Sequence, residues 1–124
     1  MAREFSKEGP LLFRSACPVA SFLDIIGDKW TLLVVRDLFA GACRYNDFLA
    51  GPERITTSIL ADRLKLLEAE GLIERSPYQQ NPVRYEYALT DKGRAIRPVL
   101  QAVTDWSQAW LPDRGARVAR RSEP

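Results

Sequence analysis

The stretch Thr56-Thr-Ser-Ile-Leu-Ala-Asp-Arg-Leu-Lys-Leu-Leu-Glu-Ala-Glu-Gly71 decides how the rest of the chain is read. Thr56 suits a helix N-cap, because a threonine hydroxyl accepts from a first-turn N–H that would otherwise lack a partner. Gly71 suits a stop, since glycine enters the left-handed region without a Cβ penalty. The spacing between them predicts a helix over 57–70. Leu60, Leu64 and Leu67, with Ile59 and Leu66 beside them, form one stripe to bury. The opposite face presents Thr57, Ser58, Ala61, Asp62 and Lys65, side chains that are small or carry hydrogen-bonding groups. A single stretch of this length is too short for a stable coiled coil, so the stripe must pack on the rest of the chain.

Ahead of this helix, Tyr45, Phe48 and Leu49 fall at i, i+3, i+4 and predict a helix of one to two turns over 45–50, closed by Gly51-Pro52. Earlier, Pro18 suits a first helical turn, with Val19, Phe22, Leu23 and Ile26 at helical spacing up to Gly27. Asp28 then caps a second helix over 29–40, apolar nearly all round and so central, ending at Gly41. Downstream of Gly71 the pattern changes to period two. Residues 72–76 and 83–89 alternate apolar and polar side chains, which predicts two antiparallel strands joined by a loop over 77–82. Thr90 caps a last predicted helix over 91–111, with a stripe of Ile96, Val99, Leu100, Val103, Trp106 and Trp110. Pro98 lies inside it, removes one backbone bond to Arg94 and predicts a bend. Residues 112–124 lose all periodicity and read as a disordered, arginine-bearing tail.

A short helix, a tight turn, a capped helix with a polar face and a two-stranded hairpin together make a winged helix-turn-helix. The expected fold class is therefore mainly α with a small β-hairpin wing, flanked by N- and C-terminal dimerisation helices. One domain is expected over 15–111, preceded by an extension over 1–14; 124 residues hardly allow a second.

Composition removes most other classes. The chain has no histidine, which excludes Ser-His-Asp and Cys-His centres and any histidine-bearing zinc site. Its two cysteines, Cys17 and Cys43, are too few for a thiolate cage and have no general-base partner in view. No glycine-rich phosphate loop occurs. Neither a cofactor, a metal nor an enzymatic activity is expected. No apolar run approaches the roughly 20 residues of a membrane span. The charged N-terminus and the unpaired thiols predict a cytoplasmic chain with no membrane contact. The net charge of +2 resides in the tail, where Arg114, Arg117, Arg120 and Arg121 outnumber Asp113 and Glu123; residues 1–111 balance. Any polyanion must be met by a local patch.

The second helix of a helix-turn-helix enters the DNA major groove, and its N-terminal residues reach base edges. Thr57, Ser58, Ala61, Asp62 and Lys65 are the candidate recognition residues. Asp62 repels phosphate unless it accepts from a cytosine amino group or pairs with Lys65 or Arg63. Arg44 and Arg54 are candidates for the DNA backbone, and Gln79, Gln80 and Arg84 for contacts from the wing. Each of these residues also fits an ordinary solvated surface. Phe13, Phe22, Val99, Val103, Trp106 and Trp110 are candidate dimer-interface residues, because so small a chain cannot easily bury them alone. The other reading folds the terminal helix back on its own domain. A further alternative keeps the winged helix as a protein-interaction module without DNA.

Five pieces stand in order: Cys17-Pro-Val, Gly27-Asp-Lys-Trp30-Thr-Leu-Leu, Arg44-Tyr-Asn-Asp-Phe-Leu, Leu60-Ala-Asp-Arg-Leu-Lys-Leu-Leu-Glu-Ala-Glu-Gly-Leu-Ile-Glu-Arg75, and Pro82-Val-Arg-Tyr-Glu-Tyr-Ala-Leu-Thr90-Asp-Lys-Gly93. Together they resemble HxlR-type winged-helix transcriptional regulators of bacteria and archaea, over about residues 15–111. The resemblance implies a homodimer joined through its N- and C-terminal helices on double-stranded DNA with an inverted-repeat operator. A switch by an oxidant acting on a thiol, or by a small-molecule effector, is expected in addition. Two departures are Asp28, where a second glycine is usual, and Asp62, where a neutral polar residue is more usual. Members of this family sense oxidants through a cysteine near the position of Cys17, which makes Cys17 a redox-sensing candidate. Its place beside a helix N-terminus favours thiolate. Its other reading is a small buried hydrophobe.

Overall fold

The computed structural model of the chain describes residues 13–111. Six helices and one hairpin follow in order: α1 (Pro18–Ile26), α2 (Thr31–Phe39), α3 (Tyr45–Leu49), α4 (Thr57–Ala69), β1 (Ile73–Gln79), β2 (Arg84–Leu89), α5 (Asp91–Arg94) and α6 (Arg97–Trp110). This is the mainly helical, winged architecture that the periodicity predicts. The arginine tail and residues 1–12 of the expected extension lie outside the described residues. Arg14, at the end of that extension, is described: its guanidinium and backbone N–H both bond the carboxylate of Asp24, which is only 1% exposed.

The core gathers the stripes read from the sequence. Ile26, Val34, Val35 and Leu38 meet Phe48, Leu60, Leu64 and Leu67, and Leu72, Ile73 and Tyr87 close the wing side. Thr56 caps α4 by accepting from the Ile59 N–H at 3.3 Å. Asp28 caps α2, its carboxylate accepting from the N–H groups of Trp30 and Thr31 at 2.9 and 3.1 Å. It also accepts from the Thr31 hydroxyl, which satisfies a side chain with no solvent exposure.

Two expected boundaries are corrected. Strand β1 does not stop at 76 but continues through Pro77 and Tyr78 to Gln79, with a register shift between Pro77, paired with Tyr85, and Gln79, paired with Arg84. A two-stranded sheet has one open side on every strand, so a proline with no N–H to donate is tolerated at such an edge or bulge. The loop shortens to 80–83, and the Gln79 side-chain amide donates to the Pro82 carbonyl at 3.2 Å across it.

The last helix is also not one bent helix. It breaks into α5 and α6, with Pro98 in the first turn of α6. Without an N–H, Pro98 cannot continue the ladder from Arg94, and it starts a new helix instead, where the missing donor costs nothing. The short α5 is held tightly. The Thr90 hydroxyl accepts from the Gly93 N–H and donates to the Gly71 carbonyl, and Lys92 Nζ donates to the Glu70 carbonyl at 2.6 Å. A Cβ at Gly93 would stand 2.1 Å from the Leu72 carbonyl oxygen, so only glycine allows this approach.

Candidate nucleic-acid interface

Helix α4 buries Leu60, Leu64, Leu66 and Leu67 and turns its other face outward. Thr57, Ser58, Asp62 and Lys65 are exposed, and Ala61 is half-buried. All five candidate recognition residues therefore share one face of the helix, four of them in its N-terminal half and Lys65 one turn further on. Asp62 stands 3.8 Å from Arg63 Nη1, a long and solvated ion pair; Arg63 makes its shorter bond elsewhere.

That shorter bond aims the helix. Arg63 Nε donates to Asp28 at 2.7 Å, and the two side chains are only 21% and 16% exposed. Asp28 thus caps α2 and anchors α4 with the same carboxylate. Burial alone would push its carboxyl up, but the hydrogen bonds from Thr31, Arg63 and Trp30 and the Arg63 charge together hold it below the ordinary aspartate value of 3.8. A second tether holds the turn before α4. Arg36, on α2, forks onto Glu53 with both contacts at 2.9 Å and also bonds Asp37. The Glu53 carboxylate keeps the Arg36 guanidinium more basic than usual. Sequence reading missed both tethers; Arg36 and Glu53 lie 17 residues apart, and no local pattern links them.

The flanking candidates divide. Arg54 is exposed and stands just before α4 with φ 62°, in the left-handed region that non-glycine residues avoid. Arg84 and Gln80 are exposed on the wing, while the Gln79 amide is engaged with Pro82 across the tip. Arg44 is not free. It lies 3.6 Å over the Tyr78 ring and donates to Glu86 at 3.3 Å, tying the start of α3 to both wing strands. The Tyr87 N–H adds a backbone bond to the Cys43 carbonyl at 2.7 Å. The wing is therefore docked to the helix-turn-helix.

The two cysteines differ. Cys17 is exposed at the N-cap of α1 and does not belong to the core of its own chain. Cys43 is half-buried; desolvation first, then the Asp47 and Glu86 charges, push its thiol up. The Asp47 carboxyl itself is lowered by the N–H groups of Cys43 and Arg44 that it accepts from.

The terminal helices carry uncovered apolar surface. None of the residues of α6 is buried; Val99, Val103, Trp106 and Trp110 are exposed, the tryptophans by 59% and 72%. The reading in which the terminal helix folds back on its own domain fails. Only its root touches the body, where Ile96 and Leu100 pack against the core. On α1, Val19 and Leu23 are exposed, as is Phe13 before it. Phe22, a candidate interface residue, is half-buried and packs partly against the protein's own core. Among the described residues no helix is long and apolar enough to cross a membrane, and no cluster of three His, Cys, Asp or Glu residues stands where it could hold a metal ion.

A hairpin wing docked beside an exposed, capped and tethered second helix defines the winged helix-turn-helix class. The HxlR-like helix-turn-helix family model matches residues 25–114, and the chain belongs to that family. It is 37% identical over 89 residues to the HTH-type transcriptional regulator YvaP of Bacillus subtilis strain 168, covering 72% of this chain and 82% of YvaP. Among solved structures it is similar to the redox regulator HypR in its oxidised form, with 35% identity, a TM-score of 0.67, and 75% and 96% of the two chains covered. It is also similar to the reduced form of the transcriptional regulator YodB from B. subtilis, with 31% identity, a TM-score of 0.64, and 77% and 95% covered.

Proposed function

We propose that this chain is a DNA-binding transcriptional regulator that acts as a homodimer on an inverted-repeat site. The observation that carries the reading is the exposed outer face of α4. Thr57, Ser58, Ala61, Asp62 and Lys65 occupy its outer face, and the helix is fixed to α2 by the Arg63–Asp28 pair. A helix of this width enters a major groove, and its free first-turn N–H groups suit a phosphate. Arg54, Arg84 and Gln80 flank it for the backbone, with Gln79 shaping the wing tip, and Arg44 joins them by exchanging Glu86 for phosphate.

The dimer rests on α6. Ile96, Val99, Val103, Trp106 and Trp110 alternate spacings of three and four, the seam along which two helices pack. Monomeric proteins rarely leave so continuous an apolar stripe in water. A second copy covers it, together with Phe13, Val19 and Leu23, and the two-fold axis sets the recognition helices about 34 Å apart, one duplex turn. The relatives named as transcriptional regulators support the same assembly-independent core of this reading, DNA binding for regulation.

Thiol oxidation is the proposed signal. Cys17 is exposed beside Val19 and Leu23, so a polar oxidised sulfur or a mixed disulfide there alters the surface that the second copy covers. The likeness to HypR, named a redox regulator, supports the assignment.

Fluorescence anisotropy with genomic fragments recovered on the purified protein tests the regulator reading. Affinity is expected to fall steeply with salt, because phosphate neutralisation releases counterions, and Lys65→Glu is expected to weaken binding further. Salt-independent affinity, or a Lys65→Glu variant that binds like the wild type, refutes it and favours the interaction module.

A further inference from the structure

We propose that the groove between the C-terminal end of α2, strand β2 and the root of α6 binds a small aromatic carboxylate. The groove holds about 320 Å³, and its lining includes Leu38, Phe39, Ala42, Tyr87 and Leu89, with Arg97 on the α6 side. That volume stands at the lower end of small-molecule sites, about 300–1,000 Å³, and is ample for a single-ring molecule. The apolar walls and the Phe39 and Tyr87 rings select a flat hydrocarbon body.

The charge of the ligand follows from Arg97. Its guanidinium carbon lies 4.8 Å from the Phe39 ring centroid, so its face is occupied by the ring. Stacking leaves the N–H edge of a guanidinium free, and Arg97 forms no ion pair with any described residue. A planar N–H fork matches a carboxylate, with two parallel bonds to its two oxygens. The neighbouring Arg94 is already committed to the Leu89 carbonyl and to Asp91, and it adds positive potential without competing for the ligand.

The end of α2 does not repel an anion strongly. Its last carbonyls are satisfied: Arg36 and Asp37 accept from the Ala40 N–H, Leu38 from Gly41, and Asp37 again from Ala42. The Cys43 thiol in the lining is pushed up and brings no negative charge of its own. The Asp47 and Glu86 charges that reach it, Glu86 paired with Arg44, oppose an anion at that end and place the carboxylate at the Arg97 end. The site deepens the regulator reading by giving an effector a place between the wing and the dimer helix. Its binding test is independent of that reading: loss of ligand binding removes the groove and leaves DNA affinity untouched.

The probe is benzoate, with benzamide as the same ring without the charge, titrated calorimetrically into the full-length protein. Benzoate is expected to bind at millimolar concentration or better, and benzamide about tenfold more weakly, the loss of one charge-assisted bond. Arg97→Ala is expected to weaken benzoate by at least the same roughly tenfold factor. Backbone amide shifts in the wild type keep the test valid should that variant unfold, since they are expected at Leu38, Ala42, Tyr87 and Leu89. No saturable binding at millimolar benzoate, equal binding of benzamide, a folded Arg97→Ala variant that binds benzoate like the wild type, or shifts confined to the far end of α6 each overturn the proposal.

Discussion

Replacing Asp28 by alanine tests how the DNA-facing helix is held. The carboxylate serves two elements at once, capping α2 through Trp30 and Thr31 and anchoring α4 through Arg63 at 2.7 Å. Loss of an N-cap costs about 1 kcal/mol. A hydrogen bond to a charged partner is worth about 1.5–3 kcal/mol, and the four-fifths burial of both side chains keeps water from taking its place. The sum is about 3 kcal/mol, against about 5–15 kcal/mol for a whole domain. At about 4–8 °C per kcal/mol for a domain of this size, Asp28→Ala melts about 15 °C below the wild type at equal protomer concentration. Asp28→Asn keeps an acceptor for the cap and falls between them.

The pH dependence provides a second, sharper readout. The Asp28 carboxyl titrates below its ordinary value in the folded protein, so the stability it contributes is complete above the unfolded value of 3.8 and is lost as pH falls through the folded one. Asp28→Asn carries no such proton and melts with a flatter acid limb. Asp47, lowered by the Cys43 and Arg44 N–H groups, preserves part of the limb in both proteins. Calorimetric melting between neutral pH and pH 3 measures both effects. An Asp28→Ala variant melting within a few degrees of the wild type, or an unchanged acid limb in Asp28→Asn, refutes the double role.

Three further outcomes follow from particular side chains. Trp106→Ala removes a ring that is 59% exposed in one protomer, and covering that area in a dimer contributes about 3 kcal/mol, so sedimentation equilibrium is expected to show dimerisation weakened by at least about 100-fold with the fold unchanged. Glu86→Gln frees Arg44 from a solvated pair worth about 0–1 kcal/mol, so DNA affinity rises about two- to fivefold at low salt while the melting temperature barely moves; a fall in affinity would show that Arg44 serves the wing and not the phosphate. Cys17→Ser is expected to retain DNA when treated with diamide or peroxide while the wild type releases it, and equal release by both proteins assigns the signal elsewhere.

The fold was legible in the sequence because its signals are local. A threonine cap, a three-and-four leucine stripe and a glycine stop specify α4 within 16 residues, and period-two alternation specifies the wing just after it. The exposed face of α4, and so the candidate recognition residues, followed from the same periodicity: whatever lies opposite a buried stripe points to water. Prolines were harder to place. Pro77 looked like a loop residue and sits in an edge strand, and Pro98 looked like a bend and starts a helix. In each case a missing N–H is tolerated or not according to what the neighbouring backbone does, and that is known only once the chain is folded.

Long-range partnership was decided by the tertiary structure alone. Nothing near Asp28 announces Arg63, 35 residues away, nothing near Arg44 announces Glu86 and Tyr78, and nothing near Phe39 announces Arg97. A charged side chain in a sequence has many partners within reach of its composition, and only packing selects one. The same holds for burial: Phe22 and Trp106 both belong to amphipathic stripes, yet one packs partly against the protein's own core and the other is exposed on the single chain. Periodicity determines which side chains share a face, and the three-dimensional arrangement of helices determines which faces are covered.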